Sequence, residues 1–377
     1  MKALGLALVV FFMGNHPCQG RVLHPSPPPE ANNSWNVAPS PPSQGLEYIG
    51  SPCFRPYLLI AAVGDNSALG SPAWLDDSPG RSFDMLAMYY GNDTAFSCPS
   101  CVGTFRHPGA KWKLLHLLAS RPEWDRVMQP YQAFMVTDDD LLMAPHDLDI
   151  GFDVFSRHSL DLGQLSVCPS PDSYTWWELM YQNSSNTLRY TAFVENMAPM
   201  FSKSMLTKHV LPHLEDASIG WGLDFLWPFL LRYARESVGV VDAVCMTHPS
   251  TKPESGSSIY ATTHEKGWTP RQERDKLMKH WKINTAAYRR HGLKLAPMQT
   301  QFAAVPLPPA GYVLPPSSYC PTPIAPWRPE AGVESLASAR WVRNGIRVVF
   351  LCSVASCSAA WYCRRCCRTK RASIAPP

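Results

Sequence analysis

Four short apolar runs, each stopped by turn or acidic residues, constrain this chain most: PYLLIAAVGD (56–65), SFDMLAMYYGN (82–92), YQAFMVTDDD (131–140) and SVGVVDAVCMTHP (237–249). Runs that are mainly apolar, rather than alternating, are what strands covered on both faces look like, and parallel sheets supply such strands. Between the second and third runs, GAKWKLLHLLAS places Trp112, Leu115 and Leu118 at helical spacing. Residues 147–160 predict a helix, LGQLSVCP a strand, and residues 202–214 another helix. A further helix opens at TPRQ, where Thr269 is an N-cap, Pro270 takes the first turn and Gln272 completes a capping box. Strands interleaved with helices predict an α/β chain, with a Rossmann-like, open, mostly parallel mixed sheet flanked by helices.

The folded region has attachments on both sides. Residues 1–20 hold one Lys, an apolar core and then the small residues Cys18 and Gly20, the pattern of a secretory signal peptide, or failing that a short anchor. Residues 21–55 are proline-dense with little apolar periodicity and read as a stem or linker, and residues 296–344 read as a second proline-rich extended segment. That leaves 56–295 for the folded domain. In residues 345–377, VVFLCSVASCSAAWYC is uncharged but shorter than the roughly 20 residues a bilayer span needs. The basic, Cys-rich RRCCRTKR behind it suits a membrane surface, so association is expected at either end or not at all. The net charge of +4 is small, with its basic excess gathered in that tail, and gives no reason to expect nucleic acid. The signal, the twelve cysteines and the sequons at Asn32, Asn92 and Asn183 together point to the secretory pathway, in the Golgi or ER lumen, either anchored or secreted.

In an open parallel sheet ligands bind beyond the carboxyl ends of the strands, where Asp138, Asp139 and Asp140 stand. Side chains at i and i+2 of an extended chain share a face, so Asp138 and Asp140 can meet one ligand while Asp139 turns aside. Two carboxylates brought together repel unless a hard cation lies between them, and Mn²⁺ or Mg²⁺ would fill that role. The competing reading is a solvated acidic turn.

KWKLL, YQAFMVTDDDLL, ENMAPMFS, IGWGLDFLW and VGVVDAVCMTHP, in this order over roughly residues 56–249, resemble a plant and algal domain family labelled "lysine-ketoglutarate reductase trans-splicing related". That family is similar to nucleotide-diphospho-sugar transferases of the GT-A fold. The resemblance implies a GT-A-like domain in which a D-x-D motif, here Asp138 and Asp140 with Asp139 between, binds the metal and the sugar nucleotide. It implies that His248, at the end of a late strand, completes the metal site, with nitrogen favouring Mn²⁺ over Mg²⁺. It further implies that Asp224, behind GWG, binds or deprotonates the acceptor hydroxyl, with Glu195 a second acidic candidate. Trp221 and Gly222 would then lie against the substrate. The chain departs from the family's usual pattern at Thr137, where Trp is common, and at Asp139, where Glu is common. The function implied is metal-dependent transfer of a sugar from a nucleoside diphosphate to a carbohydrate or glycoconjugate acceptor. Two alternatives are a lumenal carbohydrate-binding protein without turnover, and a disulfide oxidoreductase acting through Cys98 and Cys101. CPSC precedes a loop rather than opening a helix, which favours a structural disulfide there.

Overall fold

In the computed structural model, the described residues form ten strands of one mixed sheet. The structure describes residues 45–315 apart from 52, 68, 70–73, 76–79, 216 and 250–268. All of these belong to the compact unit Met1–Trp327, and the second unit, Arg328–Pro377, lies outside them. The expected signal, most of the stem, the sequon at Asn32 and the C-terminal tail likewise fall outside the described residues. Among the described residues no helix is long and apolar enough to cross a membrane.

The apolar runs become β2 (Tyr57–Val63), β3 (Phe83–Tyr89), β5 (Ala133–Thr137) and β9 (Val238–Met246), the first three buried along their whole length. With β4 (Gly103–Arg106) they build the parallel ladder β4-β3-β2-β5, and β6 (Leu162–Val167) pairs parallel with β9. The short β8 (Met200–Ser202) lies antiparallel between β5 and β6, so those two strands still run the same way. At the far edge β7 (Asn186–Thr191) is antiparallel to β9, and β10 (Gln301–Pro306) is antiparallel to β7. On the opposite edge β1 (Gly45–Tyr48) is antiparallel to β4. All strands except β1, β7 and β8 therefore point one way, and their carboxyl ends share one margin of the sheet.

Helices cover both faces. In α3 (Pro145–Arg157) Phe152 stacks on Tyr57 at 4.6 Å, and Phe155 fills the space that a Cβ on Gly163 would need. Leu162 and Phe201, one residue along in β6 and β8, face the other side. There Trp112 of α1 (Lys111–Ala119) and Trp227 of α4 (Leu223–Leu230) meet Phe201 edge-on, at 6.4 and 5.1 Å. Between α1 and β5 lies α2 (Trp124–Met128). The predicted capping box is present at the start of α5 (Pro270–His280), which leads to α6 (Thr285–Arg290).

Two expectations are corrected. The segment predicted as one helix over 202–214 starts at an N-cap Ser202 but widens to a π turn over Leu206–Val210 and ends as a 3-10 turn over Leu211–His213, where Pro212 supplies no amide hydrogen. The folded sheet also extends beyond 56–295, since β1 and β10 come from the segments read as stem and extended linker. Both are edge strands that need hydrogen bonds on one side only, so neither carries the strong apolar pattern of the interior strands.

Candidate active site

Asp138, Asp139 and Asp140 leave β5 at the shared carboxyl margin, and each is held differently. Asp138 meets Lys111, whose Nζ lies 2.9 Å from its Oδ1. The Lys111 ammonium is buried and also donates to the carbonyl oxygens of Asn196 (2.5 Å) and Met197 (2.7 Å). Burial pushes Lys111 below the usual amine range, opposed by the aspartate charges, while burial raises Asp138 against the pull of Lys111. Asp139 turns towards β2 and β3, where its Oδ2 accepts from the Gly64 amide at 3.0 Å and the Tyr90 hydroxyl at 2.7 Å. Gly64 has to be glycine for this contact, because a Cβ there would sit 2.7 Å from the Tyr90 hydroxyl oxygen.

Asp140 faces the end of β9. Its Oδ2 lies 3.6 Å from Nε2 of His248, and His248 Nδ1 is 2.8 Å from the carbonyl oxygen of Tyr174. A carbonyl only accepts, so Nδ1 carries the proton and donates, which leaves Nε2 and a carboxylate oxygen facing each other. Two such acceptors need a proton or a metal cation between them. The hydrogen bond to Asp140 raises His248, and His248 in turn holds Asp140 low although burial pushes it up.

The residues thus fit a divalent cation in part. Asp140 and His248 present one oxygen and one nitrogen, with the His orientation fixed by a second hydrogen bond, as metal-bound histidines usually are. Asp138, the third expected ligand, is already paired with Lys111. Among the described residues no group of three or more His, Cys, Asp or Glu side chains is arranged to hold a metal ion.

Two further carboxyls stand nearby. Glu195 is buried, accepts from the Thr175 hydroxyl at 2.7 Å, and is pushed up to about 7 by burial. Asp224, in the first turn of α4, is pushed up to about 7 by burial and by the Glu195 charge, and its Oδ1 accepts from the Phe225 amide at 3.1 Å. The structure therefore couples two candidate acids that sequence reasoning named separately. The GWG turn before Asp224 is set by packing: a Cβ on Gly220 would lie 1.9 Å from Trp112, and one on Gly222 would lie 3.0 Å from the Cα of Arg274 in α5. Both glycines have positive φ, at 96° and 98°. Buried Glu273 of α5 accepts from the amides of Ser218, Ile219 and Gly220, and Asn196 donates to the Gly220 carbonyl at 2.8 Å. Trp221 is partly buried in this turn.

Sequence reasoning missed Lys111 and the segment after β6. That segment is tied down by the Cys168–Cys245 disulfide, by the Tyr174 amide donating to the His248 carbonyl and by the His248 ring donating back to the Tyr174 carbonyl, and it carries Thr175 to Glu195. The WW pair within it, Trp176 and Trp177, was the available signal. Cys98 and Cys101 form a disulfide, both are buried, and they lie in a turn ahead of β4 rather than at a helix start, which makes the bond structural.

A family model described as "Protein of unknown function (DUF707)" matches residues 111–292, a little under half of the chain, and includes every motif from KWKLL to VGVVDAVCMTHP. The match carries that description and not the trans-splicing label. Comparison with curated proteins gives no match. Among solved structures the chain is similar to S. aureus TarS 1-349 at 10% identity and a TM-score of 0.35, covering 50% of this chain and 59% of that one. Similarity to S. aureus TarS has the same identity and TM-score, with 63% and 46% covered. For TarS 1-349 in complex with UDP-GlcNAc the identity is 10% and the TM-score 0.35, with 63% of this chain and 76% of that one covered. The chain thus spans less than two thirds of the length of the first two of these structures.

Proposed function

We propose that the chain is a glycosyltransferase with a GT-A-like domain, taking a sugar from a nucleoside-diphosphate sugar to a hydroxyl of a carbohydrate or glycoconjugate acceptor. The observation that carries this reading is the approach of Asp140 to His248 at 3.6 Å, across the carboxyl ends of β5 and β9. Asp140 and His248 would hold a divalent cation, Mn²⁺ ahead of Mg²⁺ because one donor is an imidazole. Asp138 would add its oxygen not engaged by Lys111. When bound, the cation supplies charge neutralisation for the departing diphosphate. Lys111 orients Asp138 and lessens the repulsion within the acidic triplet, while Gly64 and Tyr90 hold Asp139 aside. Asp224, the more accessible of the two carboxyls near neutrality, takes the proton of the acceptor hydroxyl, and Glu195 tunes it. The secretory pathway is the proposed location, supported by the Cys98–Cys101 and Cys168–Cys245 disulfides and by exposed sequon asparagines at Asn92 and Asn183.

Calorimetry of the full chain against a panel of UDP- and GDP-sugars, with and without Mn²⁺, tests this. Sugar-nucleotide binding should require Mn²⁺ and disappear in Asp140→Ala and His248→Ala, whereas Asp139→Asn should be milder. Mn²⁺ affinity equal to wild type in both alanine variants would overturn the metal assignment.

A further inference from the structure

We infer that Trp176 is the stacking face of a subsite for a neutral saccharide, placed to hold the acceptor ring against the Glu195 and Asp224 carboxyls; as an acceptor subsite it rests on the transferase reading. Trp176 is 67% exposed although its neighbours in the chain are anchored on every side. The Tyr174 amide donates to the His248 carbonyl, the His248 ring Nδ1 donates to the Tyr174 carbonyl, the Thr175 hydroxyl donates to Glu195, and the Trp177 amide donates to the Thr175 hydroxyl oxygen at 3.2 Å. Trp177 packs edge-on against Phe193 and Phe225 at 5.7 and 6.4 Å, next to Asp224 in sequence. Trp176 lies at a bend between Thr175, whose hydroxyl holds Glu195, and the inward-packed Trp177, so its exposed indole follows directly in the chain on the residue that binds that carboxyl. The Tyr174 ring meets it edge-on at 5.3 Å. Leu142, also exposed, is paired through its backbone with Thr247 and adds apolar surface on the other side of His248.

An apolar plate beside carboxyls selects a ligand with a C–H face and many hydroxyls, which is a pyranose. A quaternary ammonium would also suit an indole face, but it would need ionised carboxylates, whereas hydroxyls can donate to a carboxylate and accept from a carboxylic acid.

The test is ¹⁹F NMR of the full chain labelled with 5-fluorotryptophan, with the Trp176 resonance assigned by its loss in Trp176→Phe. The titrants are tetrasaccharides of β-glucan, xylan, mannan and galactan, with tetramethylammonium as the cationic control. A shift of the Trp176 resonance by at least one tetrasaccharide is expected. Affinity measured by calorimetry should fall about tenfold in Trp176→Ala and little in Trp176→Phe, since an aromatic contact of this kind is worth roughly one such step. Sugar-nucleotide affinity should not change in either variant. No shift with any saccharide, equal saccharide affinity in the alanine variant, or a shift with tetramethylammonium alone would overturn the inference. Saccharide binding at Trp176 in a chain that binds no sugar nucleotide would instead sink the transferase reading and leave the subsite standing.

Discussion

Asp224→Asn is expected to lower the transfer rate by about 10² to 10⁴, the usual contribution of a positioned general base, while donor affinity stays unchanged. The separation follows from geometry, because the proposed donor-holding residues Asp140 and His248 end β5 and β9, whereas Asp224 opens α4 beside Glu195. Glu195→Gln has a different signature. Its charge is one of the causes that raise Asp224, so its removal should move the rising limb of the rate–pH profile below 7. Stability should respond in the opposite sense to activity. Both carboxyls sit near 7 when folded and near 4 when unfolded, so the folded state binds more protons between those values. Their contribution is fully present below pH 4 and is lost as pH rises through 7. Thermal denaturation at pH 5 and pH 8 should therefore show a smaller decline for Glu195→Gln than for the native chain. An Asp224→Asn variant with wild-type kinetics would reduce this carboxyl to a helix-terminal charge.

Arg189→Met should destabilise the fold by about 3–5 kcal/mol, because it leaves a buried carboxylate without its partner. Arg189 of β7 holds Asp242 of β9 with two bonds, from Nε at 2.6 Å and Nη2 at 2.9 Å, and it also donates to the carbonyls of Leu179 and Tyr181. Asp242 lies where β9 shifts register against β6, so this pair fixes the path by which the strand reaches His248. With total stability of order 5–15 kcal/mol, a loss of that size removes much of the margin. Urea denaturation measures it. Replacing both partners by apolar residues, Arg189→Met with Asp242→Leu, should recover part of the loss, and equal stability of Arg189→Met and wild type would show that the pair contributes nothing.

The interior strands and the acidic strand end were legible because they obey local rules: mainly apolar runs at β2, β3 and β5, helical spacing in α1, a capping box at α5. What escaped depends on contacts between distant residues. Lys111 reads as an ordinary first-turn lysine until β5 brings Asp138 against it. Thr175 and Trp176 lie in a segment without periodicity, and contacts with residues distant in sequence, among them the disulfide to Cys245 and the backbone of His248, give it a place. The GWG glycines signalled a tight turn correctly, but the groups that crowd them are Trp112 and Arg274.

The two outermost strands have a practical bearing on how the molecule tolerates trimming. β1 and β10 come from stretches that look dispensable, yet each satisfies the open side of its neighbour, β4 on one margin and β7 on the other. A chain cut back to residues 56–295 would keep the margin that carries the aspartate triplet, but it would lose Arg55, the partner of buried Asp84 at 2.6 Å, and bare two ladders of unpaired amides and carbonyls. Such ladders recruit other strands, so the shortened protein would self-associate edge to edge, and its insolubility would say nothing about its chemistry.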